Sequence, residues 1–272
     1  MTLKIKACLF DADGVLYRGD TPVDDGPSTI KILRNKGIKV GVITNNSTRS
    51  KKELLEKLRK YGYDFTEDEI LSSAIAISDY IYEENPNAKI FVIGEEGLKA
   101  ELSEKGLKVV RENEKNVDYV VIGLDRKCTY EKIQIGMQYI LKGAKFYVTN
   151  MDRTLPVEDG RIPGSGTIVN AMITCTQKQP EVIIGKPSTY MYKKFLKKLD
   201  ISPKEAFFVG DRVETDILGA VKAGLTPVLI LTGVTTSENV SEELNKNGIP
   251  KEKVIIITQM KELVNIIFSS QK

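Results

Sequence analysis

At 272 residues the chain is long for one core, and its length suggests about two domains. Its composition is that of an ordinary globular protein, 41% hydrophobic and 28% charged. The 40 basic and 37 acidic residues leave a net charge of +3, dispersed along the chain, so nucleic acid is not an expected partner. There is no histidine, which excludes Ser-His-Asp and Cys-His catalysis in their usual forms and every zinc site that needs an imidazole.

No apolar run is long enough to span a bilayer, so no membrane association is expected. The N-terminus enters a strand without a signal-peptide apolar segment. Cys8, Cys128 and Cys175 are odd in number and far apart, as reduced thiols in a cytoplasmic protein would be.

In chain order, Ala7 to Phe10 reads as a buried strand running into Asp11-Ala-Asp13-Gly14. Side chains alternate along a strand, so Asp11 and Asp13 share a face and could share a metal and a phosphoryl group. Alone, the motif reads equally well as an acidic turn. Val15 to Asp24 reads as a loop, and Pro27 opens a helix that Gly37 stops. Ile38 to Thr44 is a second buried strand, followed by Asn45-Asn46-Ser47 and helices near 49–61 and 72–84. The basic cluster Lys51, Lys52, Lys57, Arg59 and Lys60 alternates with leucines at helical spacing, as a solvated helix face does.

A break at Asn85-Pro86 starts a new strand–helix alternation. It ends in a loop, Met151 to Gly166, carrying Asp152, Arg153, Glu158 and Arg161, and then a helix to about Lys178. A second break at Gln179-Pro180 leads back to the first alternation. EVIIG is read there as a resumed strand, Lys186 as the opening of a helix, and AFFVG as a strand ending in Asp211, with Asp216 in the helix start that follows. Residues 1–84 and 181–272 are therefore expected to form a parallel-sheet α/β core of Rossmann-like kind, with 85–180 as an inserted α/β domain.

Asp11, Thr44 and Asp211 follow or close buried strands, and Lys186 lies just beyond another. Such strand ends line one edge of a parallel sheet, where ligands bind at the switch in strand order. Three carboxylates, a hydroxyl, an ammonium and loop N–H groups around Gly14 and Asn45 suit a phosphate with a divalent cation, magnesium being the hard-ligand choice. Each residue also has an ordinary structural reading: Thr44-Asn45-Asn46 as a turn and cap, Lys186 as a solvated lysine, Asp211 and Asp216 as helix-start acids.

FDADGVLYRG, VITNNSTRS, IGKPS and VGDRVETDI resemble, in order, the four motifs of the haloacid dehalogenase-like phosphohydrolases. The resemblance is to the para-nitrophenyl phosphatase, phosphoglycolate phosphatase and pyridoxal phosphatase branch, whose large cap lies between motifs two and three. LTGVTT at 231–236 and the TN-x-D of Thr149 to Asp152 also match that branch. The resemblance implies a phosphomonoesterase acting on a small phosphorylated metabolite, with Asp11 as nucleophile forming an aspartyl-phosphate and Asp13 as general acid and base. It implies that Thr44 and Lys186 hold the phosphoryl oxygens. It also implies Mg²⁺ on Asp11, Asp211 and the backbone carbonyl of Asp13, with Asp216 in support. Gly14, Asn45, Asn46 and, in the cap, Asp152 and Arg153 are the expected substrate contacts, and relatives suggest a homodimer through the cap. A phosphotransferase or mutase using the same intermediate, and a non-catalytic binding protein on the same fold, are the alternatives.

Overall fold

The computed structural model describes residues 4–157 and 160–269. The chain forms two compact units. One takes in the chain up to Thr44, Leu55–Leu71 and everything from Lys186 onward; the other is Asn45–Leu54 with Ser72–Gly185.

The first unit is built on a six-stranded sheet in the order Ile255–Ile257, Thr226–Ile230, Ala206–Gly210, Ala7–Phe10, Lys39–Thr44, Ile70–Ser72. Ala7–Phe10 pairs in parallel with Lys39–Thr44 on one side and Ala206–Gly210 on the other. Every residue of Ala7–Phe10 and Ala206–Gly210 is buried, which is why these segments read as unbroken apolar runs rather than alternating ones. The chain first builds outward from Ala7–Phe10 through Lys39–Thr44, then returns to build the other way from Ala206–Gly210. The order of strands therefore reverses beside Asp11.

Local sequence sets the ends of these elements. Pro27 lies in the first turn of helix Gly26–Asn35, and Gly37, at φ +80°, lies just beyond its end. Gly224, at φ +82°, caps Leu218–Ala223. Three expectations are corrected. Val15 to Asp24 is not plain loop but holds a short antiparallel pair, Tyr17–Arg18 with Thr21–Pro22. Lys186 does not open a helix: it lies in a turn, and the helix begins at Tyr190. Asp216 lies within a π-helical turn, Val213–Ile217, rather than in regular α-helix.

The second unit has a five-stranded parallel sheet in the order Val182–Ile183, Lys145–Val148, Tyr119–Ile122, Lys89–Ile93, Lys108–Val110. Val182–Ile183, read as a resumed strand of the first sheet, pairs with Lys145–Val148 instead. Phe91, Val120, Ile122, Phe146, Val169 and Met172 pack into one buried cluster, the unit's own core. Met151 to Gly166 was read as loop; it contains an antiparallel ribbon, Thr154–Val157 with Gly160–Pro163. Glu158 lies outside the described residues. Among the described residues no helix is long and apolar enough to cross a membrane.

Candidate active site

At the switch in strand order the first unit gathers four buried charged side chains: Asp11, Lys186, Asp211 and Asp216. Asp11 continues the strand ladder by one bond, its N–H donating to Val209 O at 2.8 Å, so its carboxylate leaves the sheet at a fixed place. Lys186 Nζ donates to Asp11 Oδ1 at 2.7 Å and lies 2.6 Å from Asp216 Oδ1. The other oxygen of Asp216 accepts from the backbone N–H groups of Asp211 and Arg212, at 3.2 and 3.1 Å. Asp216 is thereby committed to holding the lysine and the strand end, a geometry the π-helical turn provides.

Asp211 is held differently. Its Oδ2 accepts from Val234 N–H at 2.7 Å, whereas Oδ1 is buried with no hydrogen-bond partner among the described residues. A buried carboxylate oxygen in that state costs energy unless a ligand completes it. One oxygen from each of Asp11, Asp211 and Asp216 lies within 4.8 Å of the other two, a hard donor set suited to a divalent cation.

The electrostatics agree with that fit. Burial pushes the Asp11 carboxyl well above its usual range, Lys186 opposes, and Asp216 and Asp211 add to the rise. Asp211 is pushed up to about 7, by burial and then by Asp216, against the Val234 N–H. Burial alone would lower Lys186; Asp11 and Asp216 outweigh it and hold the ammonium above its ordinary value. With all three buried acids ionised, one ammonium would leave an excess of negative charge, which a bound cation would offset.

Glycines make the crowding feasible. Gly14, at φ +85°, and Gly233 both stand where a Cβ would collide with the Asp211 carboxylate. Thr232 Oγ1 donates to Gly14 O at 2.7 Å, linking the segment after Thr226–Ile230 to the loop after Asp11. Thr44 closes the neighbouring strand and is buried. Asp13 is half-buried and accepts from the Tyr17 hydroxyl at 3.3 Å.

Of the residues anticipated as site groups, Asp11, Asp13, Gly14, Thr44, Lys186, Asp211 and Asp216 all belong to the first unit. Asn45, Asn46, Asp152 and Arg153 belong to the second. There Asn45 Nδ2 donates to both carboxylate oxygens of Asp152, at 3.0 and 3.3 Å, and Asn45 O accepts from Asn150 Nδ2 and Ser73 Oγ. Asn46 Oδ1 accepts from the Thr48 N–H and hydroxyl, while Arg153 is exposed. Sequence reasoning missed Val234, which acts through its backbone N–H, and Tyr17 as the partner of Asp13. LTGVTT marked the first place, but a main-chain donor has no side-chain signature.

Comparison with known proteins adds to this geometry. A haloacid dehalogenase-like hydrolase family model matches residues 8–108, and a second, HAD-hydrolase-like model matches 183–257. The acid sugar phosphatase of Staphylococcus epidermidis is 41% identical over 238 residues, covering 88% of this chain and 91% of its own. The p-nitrophenyl phosphatase from Archaeoglobus fulgidus is 37% identical with a TM-score of 0.91, the match covering 97% of this chain and 99% of that one. A glycerol phosphate phosphatase from Mycobacterium tuberculosis, solved in complex with magnesium, is 29% identical with a TM-score of 0.85, covering 96% of this chain and 77% of that one.

Proposed function

This chain belongs to the haloacid dehalogenase-like hydrolases and is a phosphatase of that family, and from this premise we propose that it hydrolyses phosphomonoesters of small metabolites through an aspartyl-phosphate on Asp11. The observation that carries the reading is the Asp11 carboxylate held by Lys186 beside an Asp211 Oδ1 that is buried with no hydrogen-bond partner among the described residues. In the first step an Asp11 oxygen attacks phosphorus, the bond to the leaving oxygen breaks, and Asp13 gives that oxygen a proton. In the second, water attacks the same phosphorus, Asp13 takes a proton from it, and the Asp11–phosphorus bond breaks to release inorganic phosphate. A carboxylate fixed by strand and lysine has already lost its orientational freedom, an advantage worth several kcal/mol.

Thr44, Lys186 and the loop N–H groups around Gly14 neutralise the phosphoryl oxygens. Asp11, Asp211 and the Asp13 carbonyl would hold the cation, with Asp216 fixing Lys186 and the Asp211 backbone. Magnesium, when bound, supplies positive charge that offsets the repulsion between anionic nucleophile and anionic phosphate. The first unit is the core that performs this chemistry, and the second, which takes in the expected insert 85–180, is a cap that selects the substrate, with Asp152 and Arg153 as its candidates. Sugar and glycerol phosphates are the first substrates to assay, because relatives are named for them.

The test is phosphate release from p-nitrophenyl phosphate and a panel of sugar and polyol phosphates, with no added acceptor. Release that requires Mg²⁺ and stops on metal stripping is expected. Transfer only to an added alcohol would instead make the protein a phosphotransferase, and full activity after metal stripping would refute the metal assignment.

A further inference from the structure

Tyr17 is completely buried, and a buried phenol needs a hydrogen-bond partner. Its hydroxyl meets the Asp13 carboxylate, donating to Oδ2 at 3.3 Å. The backbone fixes the same pair: Gly14 N–H donates to Tyr17 O at 2.7 Å, and Asp13 and Tyr17 form an isolated bridge. Lys57, on helix Lys51–Lys60, holds the ring from the other side. Its Nζ stands 4.0 Å from the Tyr17 ring centroid and donates to Gly19 O at 2.8 Å, at the tip of the short Tyr17–Pro22 hairpin. Tyr61, one helical turn on, packs its ring 5.6 Å from that of Tyr17 and donates to Asp20 at 3.3 Å. The hairpin that begins four residues after Asp13 is thus fastened to a helix by one cation and two phenols.

We infer that Tyr17 is a positioning residue that aims the Asp13 carboxyl at the leaving oxygen, with Lys57 and Tyr61 fixing the Tyr17 ring in turn. This rests on the proposed role of Asp13 as general acid. A donor on Oδ2 makes that oxygen an acceptor and places a proton carried by Asp13 on the other one. An ammonium over the ring face also draws electron density from the phenol and strengthens its O–H as a donor. The consequence is specific to leaving-group departure. A poor leaving group needs the proton in the transition state, whereas a good one departs nearly unaided.

The experiment compares kcat/KM for phenyl phosphate and p-nitrophenyl phosphate, similar in shape but unlike in leaving-group quality. Tyr17→Phe keeps ring, packing and cation–π contact and removes only the hydroxyl. The ratio of kcat/KM, phenyl over p-nitrophenyl, should fall by about 5- to 10-fold, a fraction of the general-acid effect. Lys57→Met should move the ratio the same way by less. An unchanged ratio in Tyr17→Phe, whether or not both rates drop together, would overturn the positioning role and leave Tyr17 as packing. Asp13→Asn separates the two levels of the argument, since it should depress the ratio more than either variant. If it does and Tyr17→Phe does not, only the inference about Tyr17 fails; if Asp13→Asn leaves the ratio unchanged, the general-acid reading itself fails.

Discussion

Two loops of this molecule are rich in polar side chains, and they use them in opposite ways. In the second unit, Asn45, Asn150, Asp152 and Ser165 bond to one another and to nearby backbone, with Ser73 completing the set. At the sheet edge of the first unit, three buried acids face one lysine, and Asp211 Oδ1 is left without a partner among the described residues. Mutual satisfaction fixes a shape; an unbalanced buried cluster stores affinity for something that completes it. On the function proposed above, the strand ends of the first unit do the chemistry and the second loop sets geometry and selectivity.

That contrast is broken most severely at Asp11. Asp11→Asn should abolish turnover, a loss on the order of 10⁴-fold or more, as removal of a nucleophile commonly gives. The variant should melt at the same or a higher temperature in metal-free buffer, because one of three crowded buried carboxylates is gone. Steady-state rates with mass spectrometry to exclude deamidation, together with a melting curve, check both halves. A clear drop in Tm with substantial remaining activity would reverse the assignment.

A smaller effect is expected in the satisfied loop. Asp152→Ala removes the acceptor of Asn45 Nδ2, a hydrogen bond worth about 1 kcal/mol. The ratio of kcat/KM between a sugar phosphate and p-nitrophenyl phosphate should shift by about 2- to 10-fold, with Asp152→Asn shifting it less. Equal losses of about 100-fold or more on both substrates, with the fold intact, would be a catalytic residue's signature and would erase the distinction.

The smallest effect lies away from both loops. Arg34 grips Glu69 through two bonds of 2.6 Å. Burial raises the Glu69 carboxyl, but Arg34 and the Thr66 N–H outweigh it and hold it below its usual range. Its stabilisation is therefore complete above the ordinary glutamate value of about 4.3 and is lost as pH falls through the lower folded value. Glu69→Gln should cost about 1 kcal/mol or less at pH 7, and the difference in Tm from the parent should vanish in strong acid. A difference that persists unchanged there would show that charge is not what Glu69 contributes.

The parallel α/β architecture was legible because the strands that matter are buried on both faces, and such strands appear as plain apolar runs. Asp11, Thr44 and Asp211 were legible because each stands at or just past the end of such a run. What stayed hidden follows from physics as well. Ile70–Ser72 and Lys108–Val110 are three residues each, too short for a period to show. Val182–Ile183 is apolar enough for either sheet, and only pairing decides which one it joins. The ribbon at Thr154–Pro163 was masked by its prolines and glycines, which read as loop. The Val234 N–H donor carries no residue identity, and Tyr17 lies in a stretch that reads as loop, where nothing in the sequence pairs its hydroxyl with Asp13.

The central claim is that a covalent phosphoryl intermediate forms on one particular carboxylate. Quenching the enzyme during turnover of p-nitrophenyl phosphate with Mg²⁺, reducing with borohydride and mapping peptides by mass spectrometry tests it directly, because an acyl phosphate is reduced to the alcohol. The account predicts homoserine at position 11 and nowhere else. Reduction at Asp13 or Asp211 instead, or none at all under conditions that trap the intermediate in an established aspartyl-phosphate enzyme, would contradict it.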